Sequence, residues 1–184
     1  MALLRDGQGA RVATRVQALD DTVDRWMDRL RGPVLDPLFY GLSSAADHGL
    51  LWLSIGSLRA ARRGDPRIAL RLGINLGIES ATTNGPIKLC FRRVRPEIDH
   101  QPHERLPYGM HRPITSSFPS GHAASAFTAA MLLRDSPLAP AYFVLAGLVA
   151  TSRVYVKMHH ASDVLVGAAI GFAMGAVARR LLPL

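Results

Sequence analysis

The chain has 184 residues, enough for one domain with a real core and little room for a second. Its 22 Lys and Arg against 14 Asp and Glu give a net charge of +8. The basic residues flank apolar blocks instead of interleaving with aromatics on one face, which argues against a nucleic-acid partner. A single cysteine, Cys90, excludes an intrachain disulfide and any cysteine-rich metal site. The apolar residues gather in blocks of roughly 17 to 25, long enough to cross a bilayer, separated by Arg-rich or Pro-rich joints.

Residues 1–10 lack an apolar h-region, so they read as a flexible N terminus with no cleavable signal, ahead of one membrane domain over 11–184. From Arg11 to Arg31, Val12, Val16, Leu19, Val23, Trp26, Met27 and Leu30 recur at three and four, with Asp and Arg between them. This spacing predicts an amphipathic helix, too charged to span, lying on the membrane surface or packed on the bundle. Leu38 to Ala61 is the first expected span. It contains Asp47 and His48, which lipid would not tolerate cheaply, so both are expected to face the interior as a structural polar pair. The second span, Ile68 to Phe91, carries Arg71, Asn75, Glu79 and Asn84, and Gly85-Pro86 is expected to kink or break it. Lys88 and Arg95 follow, seven apart; on a continuous helix they would share a face, with Pro96 ending it. Two such cations can grip a phosphate or anchor a helix to head groups, and both readings stand at this point.

The loop Glu97 to Phe118 holds His100, His103 and His111 and is expected to shape access to a site. No two of these histidines have the spacing and acidic company of a metal motif, so no metal is expected. Thr115 to His122 then opens into the apolar run Ala123 to Leu133, the third span. Ser120 is placed as an N-cap, Gly121 lets backbone approach a ligand, and the free N–H groups of the helix start form an anion site beside His122. A fourth span runs from Ala139 to Tyr155, and a fifth from Val164 to about Leu182, where Gly171-x-x-x-Gly175 suits close packing. Between them, Ser152 to Asp163 gathers a cation, Arg153, a nucleophile or base, His159, and a carboxylate, Asp163, that can orient it. Five crossings put the segments around Lys88, His122 and Arg153 to Asp163 on one side. The expected fold is thus an all-α, multi-pass transmembrane bundle.

Lys88-x6-Arg95-Pro96, Pro119-Ser120-Gly121-His122 and Ser152-Arg153-x5-His159-x3-Asp163, in that order, resemble the three-part signature of the type 2 phosphatidic acid phosphatase superfamily, which also includes vanadium haloperoxidases. The resemblance covers roughly residues 80 to 170. It implies that Lys88, Arg95, Arg153, Ser120 and the Gly121 N–H hold phosphate oxygens, and that His159 attacks phosphorus. It further implies that Asp163 hydrogen-bonds the other nitrogen of His159, and that His122 serves as acid and then as base, with no cofactor or metal. His160 is then the spare imidazole, and Arg92, Arg93 and Lys157 read as interfacial charges. The phrases Ala46 to Trp52 and Asn84 to Lys88 are similar to small actinobacterial members, some of which act on decaprenylphosphoryl-5-phosphoribose. A lipid phosphatase is expected, its partner a lipid phosphate in the cell membrane; a vanadium-dependent haloperoxidase and a non-catalytic lipid-binding protein are the alternatives. The cations flanking the spans favour a cytoplasmic site.

Overall fold

The computed structural model describes residues 2–96 and 115–181, and among them all regular structure is helical. The loop histidines His100, His103 and His111 lie outside the described residues. The helices are α1 (Ala2–Arg29), α2 (Leu35–Ala45), α3 (Leu50–Arg63), α4 (Arg67–Thr82), α5 (Gly121–Leu132), α6 (Ala139–Tyr155) and α7 (Ala161–Leu181). The first begins well before Arg11.

Helix α5 is the axis of the bundle. Its sequence, GHAASAFTAAML, is apolar on every side, as a helix surrounded by others must be. Nine of its twelve residues are buried. It packs most extensively on α7, then on α6 and α4. The α5–α7 contact depends on a glycine every fourth residue of α7, a longer stripe than the Gly171–Gly175 pair alone. A Cβ on Gly167 would stand 2.3 Å from the Ser120 carbonyl oxygen, one on Gly171 2.0 Å from that of Ala124, and one on Gly175 2.6 Å from Met131 Cβ. The backbones therefore touch, and Thr128 Oγ1 donates to the Gly171 carbonyl at 3.1 Å. One apolar cluster, around Trp52, Leu72, Leu76, Ala126 and Val149, fills the far half of the bundle. A second, around Met27, Tyr40, Val154, Tyr155 and Met158, underlies the end that carries the motifs.

Two expected spans are interrupted. The first is broken at Asp47–Gly49, a single 3₁₀ turn in which His48 (φ 54°) and Gly49 (φ 72°) are left-handed. In the second, the helix widens over Thr83–Ile87 around Gly85-Pro86, as the missing proline N–H requires, and ends just beyond Lys88. Lys88 and Arg95 are consequently not two turns of one helix; Arg95 sits on an irregular segment beyond it. Among the described residues one helix, α7, is long and apolar enough to cross a membrane. At 1.5 Å per residue the 12 residues of α5 span only about 18 Å.

Helix α1 follows the expected amphipathicity in part. Val16, Val23, Met27 and Leu30 turn toward the bundle, while Val12, Leu19 and Trp26, seven apart, are exposed. Asp20 is buried on the inward face and Asp24 half-buried there, whereas Asp21 and Asp28 are exposed.

Gly171→Ala should force the α5 and α7 backbones apart and cost about 1–3 kcal/mol, the usual range for overpacking. Thermal unfolding in detergent should show a clear fall in Tm, whereas Gly147→Ala, with nothing within 4 Å of its new Cβ, should leave Tm within error.

Candidate active site

A cavity of about 880 Å³ opens at the motif end, and Lys88, Arg95, Gly121, His122, Arg153 and His159 all line it. Residues up to 71 positions apart in sequence therefore reach one space. Its floor is the start of α5, where Ser120 has extended backbone (ψ 110°) and its hydroxyl accepts from Ala123 N at 3.4 Å, the N-cap arrangement expected. Ser120 is fully buried with its Oγ on this cap, and lies behind the cavity wall. Gly121 has a second reason to be glycine: a Cβ there would stand 2.9 Å from Asn84 Oδ1.

Arg153 is buried at the end of α6. Its Nη1 donates to Ser43 Oγ and lies 3.9 Å from Asp47 Oδ1, and its Nε has no partner among the described residues. A buried guanidinium with a donor to spare is suited to an anion. Arg95 binds the segments together: Nη1 donates to the Met158 carbonyl at 2.5 Å, Nη2 contacts those of Thr115 and Ser116 at 3.3 Å, and Nη1 lies 3.5 Å from His159 Nε2.

The tautomer of His159 follows from its partners. Nδ1 lies 2.6 Å from the Ser117 carbonyl oxygen, which can only accept, so Nδ1 carries the proton and Nε2 presents a lone pair. Burial first, and then the cations Arg153, Arg95 and Lys88, holds this imidazole well below its ordinary pKa, so it is neutral. The hydrogen bond expected from Asp163 is not made: its Oδ2 is 3.9 Å from Nδ1. The main chain at Ser117 orients the ring instead.

Asp163 is fully buried and serves the scaffold of the site. Oδ2 accepts from His160 N at 2.9 Å, an N-terminal cap of α7, and Oδ1 accepts from Arg93 Nη1 at 2.6 Å. Its backbone carbonyl accepts from Ser120 N at 3.0 Å, joining the start of α7 to that of α5. Arg93, expected as an interfacial charge, also donates to Ser162 Oγ and to Asp20 Oδ2, each at 2.6 Å. Burial alone would raise Asp20, but hydrogen bonds from Ser162 and Arg93 overcome this and hold its carboxyl below the usual range. Lys157 is likewise no interfacial charge. It is 7% exposed and left-handed (φ 56°), and its Nζ donates to Asp28 Oδ2 at 3.0 Å and the Asp24 carbonyl at 3.2 Å. That turn brings Met158 N and His159 N onto one acceptor, the Arg153 carbonyl, at 3.0 and 3.1 Å. His160 Nε2 lies 3.2 Å from the Val94 carbonyl and packs the turn. Arg92 is exposed, as expected.

Asp47, expected in a structural pair with His48, instead contacts His122 across the cavity: Oδ1 lies 2.7 Å from His122 Nε2, while His48 is exposed. A carboxylate followed by Gly49 inside an apolar run was the available signal. Glu79 is fully buried and accepts from Ser125 Oγ, and Ser125 lines the cavity. The part played by Asp20, Ser43 and the Ser117 carbonyl had no sequence signal.

An all-helical bundle that gathers three cations, a helix start and two imidazoles around one cavity defines a site for a phosphate-like anion. The chain belongs to the PAP2 superfamily, whose model matches residues 68–183, and it is a phosphatase of that family. It is 32% identical over 140 residues to the decaprenylphosphoryl-5-phosphoribose phosphatase of Mycobacterium tuberculosis, covering 74% of this chain and 75% of that protein. In fold it is similar to the transmembrane PAP2-type phosphatidylglycerolphosphate phosphatase of Bacillus subtilis, at TM-score 0.71 and 23% identity over 91% of this chain and 86% of that one. Aquifex aeolicus LpxE follows at TM-score 0.68 and 26% identity, over 88% and 95%.

Two measurements check this account of the scaffold. Arg93→Ala leaves two buried carboxylates without their cation and should cost about 3–5 kcal/mol, read as a lower Tm. Because the folded pKa of Asp20 is depressed, its contribution is fully present above the unfolded value of 3.8 and is lost as pH falls through the lower folded value. Wild type should therefore lose Tm more steeply than Asp20→Asn as pH is lowered from 4.

Proposed function

We propose that this chain is a membrane phosphatase that hydrolyses the terminal phosphate of a polyprenyl-linked phosphosugar through a phosphohistidine on His159. The observation that carries the reading is the Nε2 lone pair of His159, whose Nδ1 is held by the Ser117 carbonyl, on the same cavity as Lys88, Arg95, Arg153 and His122. The three cations and the Gly121 N–H take the phosphate oxygens and the charge that develops on them. Ser120 and Asp163 fix the helix starts that present these groups. The Nε2 lone pair attacks phosphorus as the P–O bond to the sugar breaks, and His122 protonates the departing oxygen. His122 then takes a proton from water, the water oxygen attacks phosphorus, the N–P bond breaks, and phosphate leaves.

The lipid setting is supported by the outer surface. Leu70, Ile74 and Ile78 on α4, Val144 and Leu148 on α6, and Leu165, Phe172 and Val177 on α7 are large apolar residues turned outward at helical spacing. In water such stripes would be unfavourable; facing acyl chains they are not. We read five crossings: α2 with α3, α4 with its extension, α5, α6 and α7. The motif end is placed at the cytoplasmic face, because its flanking arginines outnumber those at the other end. We take the exposed Val12, Leu19 and Trp26 to rest on the membrane interface, which their apolar surface supports.

For the substrate, the cavity is far larger than a phosphate and has two characters. Ser80, Asn84 and Ser125 line it with hydroxyls and an amide, and Leu53, Leu76, Gly73 and Gly77 with apolar or bare backbone. A hydroxylated sugar beside a prenyl chain matches both, and the M. tuberculosis relative is named for such a substrate.

Purified enzyme given decaprenylphosphoryl-5-phosphoribose should release phosphate with EDTA present, with kcat/KM above that for phosphatidate or undecaprenyl diphosphate. His159→Ala should lose at least about 10³-fold in kcat, and His122→Ala about 10²- to 10⁴-fold. Acid-quenched wild type should carry the substrate's labelled phosphorus on protein, and His159→Ala should not; a requirement for added divalent metal would overturn the mechanism.

A further inference from the structure

We propose that Asp47 is a positioning residue for this reaction: by holding a proton on His122 Nε2 it confines proton transfer to Nδ1. The inference rests on His122 as the acid and base of the preceding section.

Three observations carry it. Asp47 Oδ1 lies 2.7 Å from His122 Nε2 and 3.9 Å from Arg153 Nη1, so the short contact is with the imidazole, while Arg153 is held by Ser43. Both Asp47 and His122 line the cavity, and Asp47 is half-buried at its edge. The backbone is also bent to put it there. The helical run that begins at Leu35 is interrupted at Asp47–Gly49, where His48 takes a left-handed conformation unfavourable for a non-glycine residue. His48 also lines the cavity but is exposed, whereas Asp47 makes the short contact with His122.

The chemistry follows from the partner. A carboxylate can only accept, so Nε2 keeps its hydrogen whether the ring is neutral or cationic. Nδ1, the nitrogen closer to the backbone at the start of α5, is then the one that gains and loses a proton. In the first half-reaction imidazolium Nδ1–H passes its proton to the departing oxygen. In the second, neutral Nδ1 takes one from water. The negative charge of Asp47 favours the imidazolium that the first step needs.

The test is the leaving-group dependence of Asp47→Asn, which keeps the shape and removes the charge. Dodecyl phosphate releases a poor leaving group that needs the proton; 4-nitrophenyl phosphate releases one that does not. For Asp47→Asn, kcat/KM for dodecyl phosphate should fall by about 10- to 100-fold, the range for groups that orient a reacting residue. For 4-nitrophenyl phosphate it should fall less than about threefold, and Asp47→Glu should recover part of the loss. Adding Asp47→Asn to His122→Ala should cost nothing more. Equal losses on both substrates, no loss on either, or an additive loss in the double variant would overturn the proposal. Should Asp47→Asn not fold, Asp47→Ser carries the same comparison. If His159→Ala keeps its activity, the phosphohistidine reading fails; if His159→Ala is dead and the leaving-group difference is missing, only the role of Asp47 fails.

Discussion

One guanidinium holds the motif end together. Arg93 divides its donors between Asp163 on α7 and Asp20 on α1, and closes on Ser162 between them. Three chain segments meet there, and the two buried carboxylates are compensated by the half-buried guanidinium. A buried ion pair is seldom a net source of stability, since desolvation consumes most of the Coulomb gain, but its directional bonds permit few alternative packings. Asp163 gains from this a fixed position, and through its carbonyl fixes Ser120, the residue at which α5 begins. The floor of the cavity is thus set by a pair that never touches it.

Around that frame the site collects like charge at close quarters. Lys88, Arg95 and Arg153 face one space, and Arg153 keeps an unsatisfied donor. Such an arrangement is unfavourable in itself and is stabilised when an anion joins it, so the scaffold must supply rigidity the site does not. It comes from α5 and α7, whose backbones meet along three glycines, and from Arg95, whose carbonyl contacts run to both neighbouring segments. In the same setting an uncharged acceptor behind His159 is apt. The Ser117 carbonyl fixes the ring without adding a charge that would compete for the three cations.

The helical class could be read from sequence because it depends on periodicity, in apolar blocks of helical length, and the meeting of three segments because each polar motif stands at an end of such a block. The N-cap at Ser120 was legible for a similar reason, being local chemistry. What was not legible depends on direction in space. The inward placement of Asp20 and Asp24 on α1 is not legible in sequence, because aspartates look solvent-facing until the cations they meet are known. Arg93 and Lys157 were misread as interfacial for the mirror-image reason. The partner of His159 escaped because a backbone carbonyl has no residue identity, and spacing alone pointed to Asp163. Asp47 fell between two readings, since polarity in an apolar run marks a buried partner without naming it.

The bond from Ser162 to Asp20 spans 142 positions, and Arg93 sits between the two in sequence as in space. As the chain emerges from the ribosome, α1 comes first and the residues that occupy its acidic face come last. Until Arg93 and then Ser162 have been made, the buried Asp20 lacks the partners it has in the folded bundle. Long-range closure of this kind is slow relative to local helix formation. The motif end is accordingly closed only once the start of α7 has been synthesised and has docked on α1.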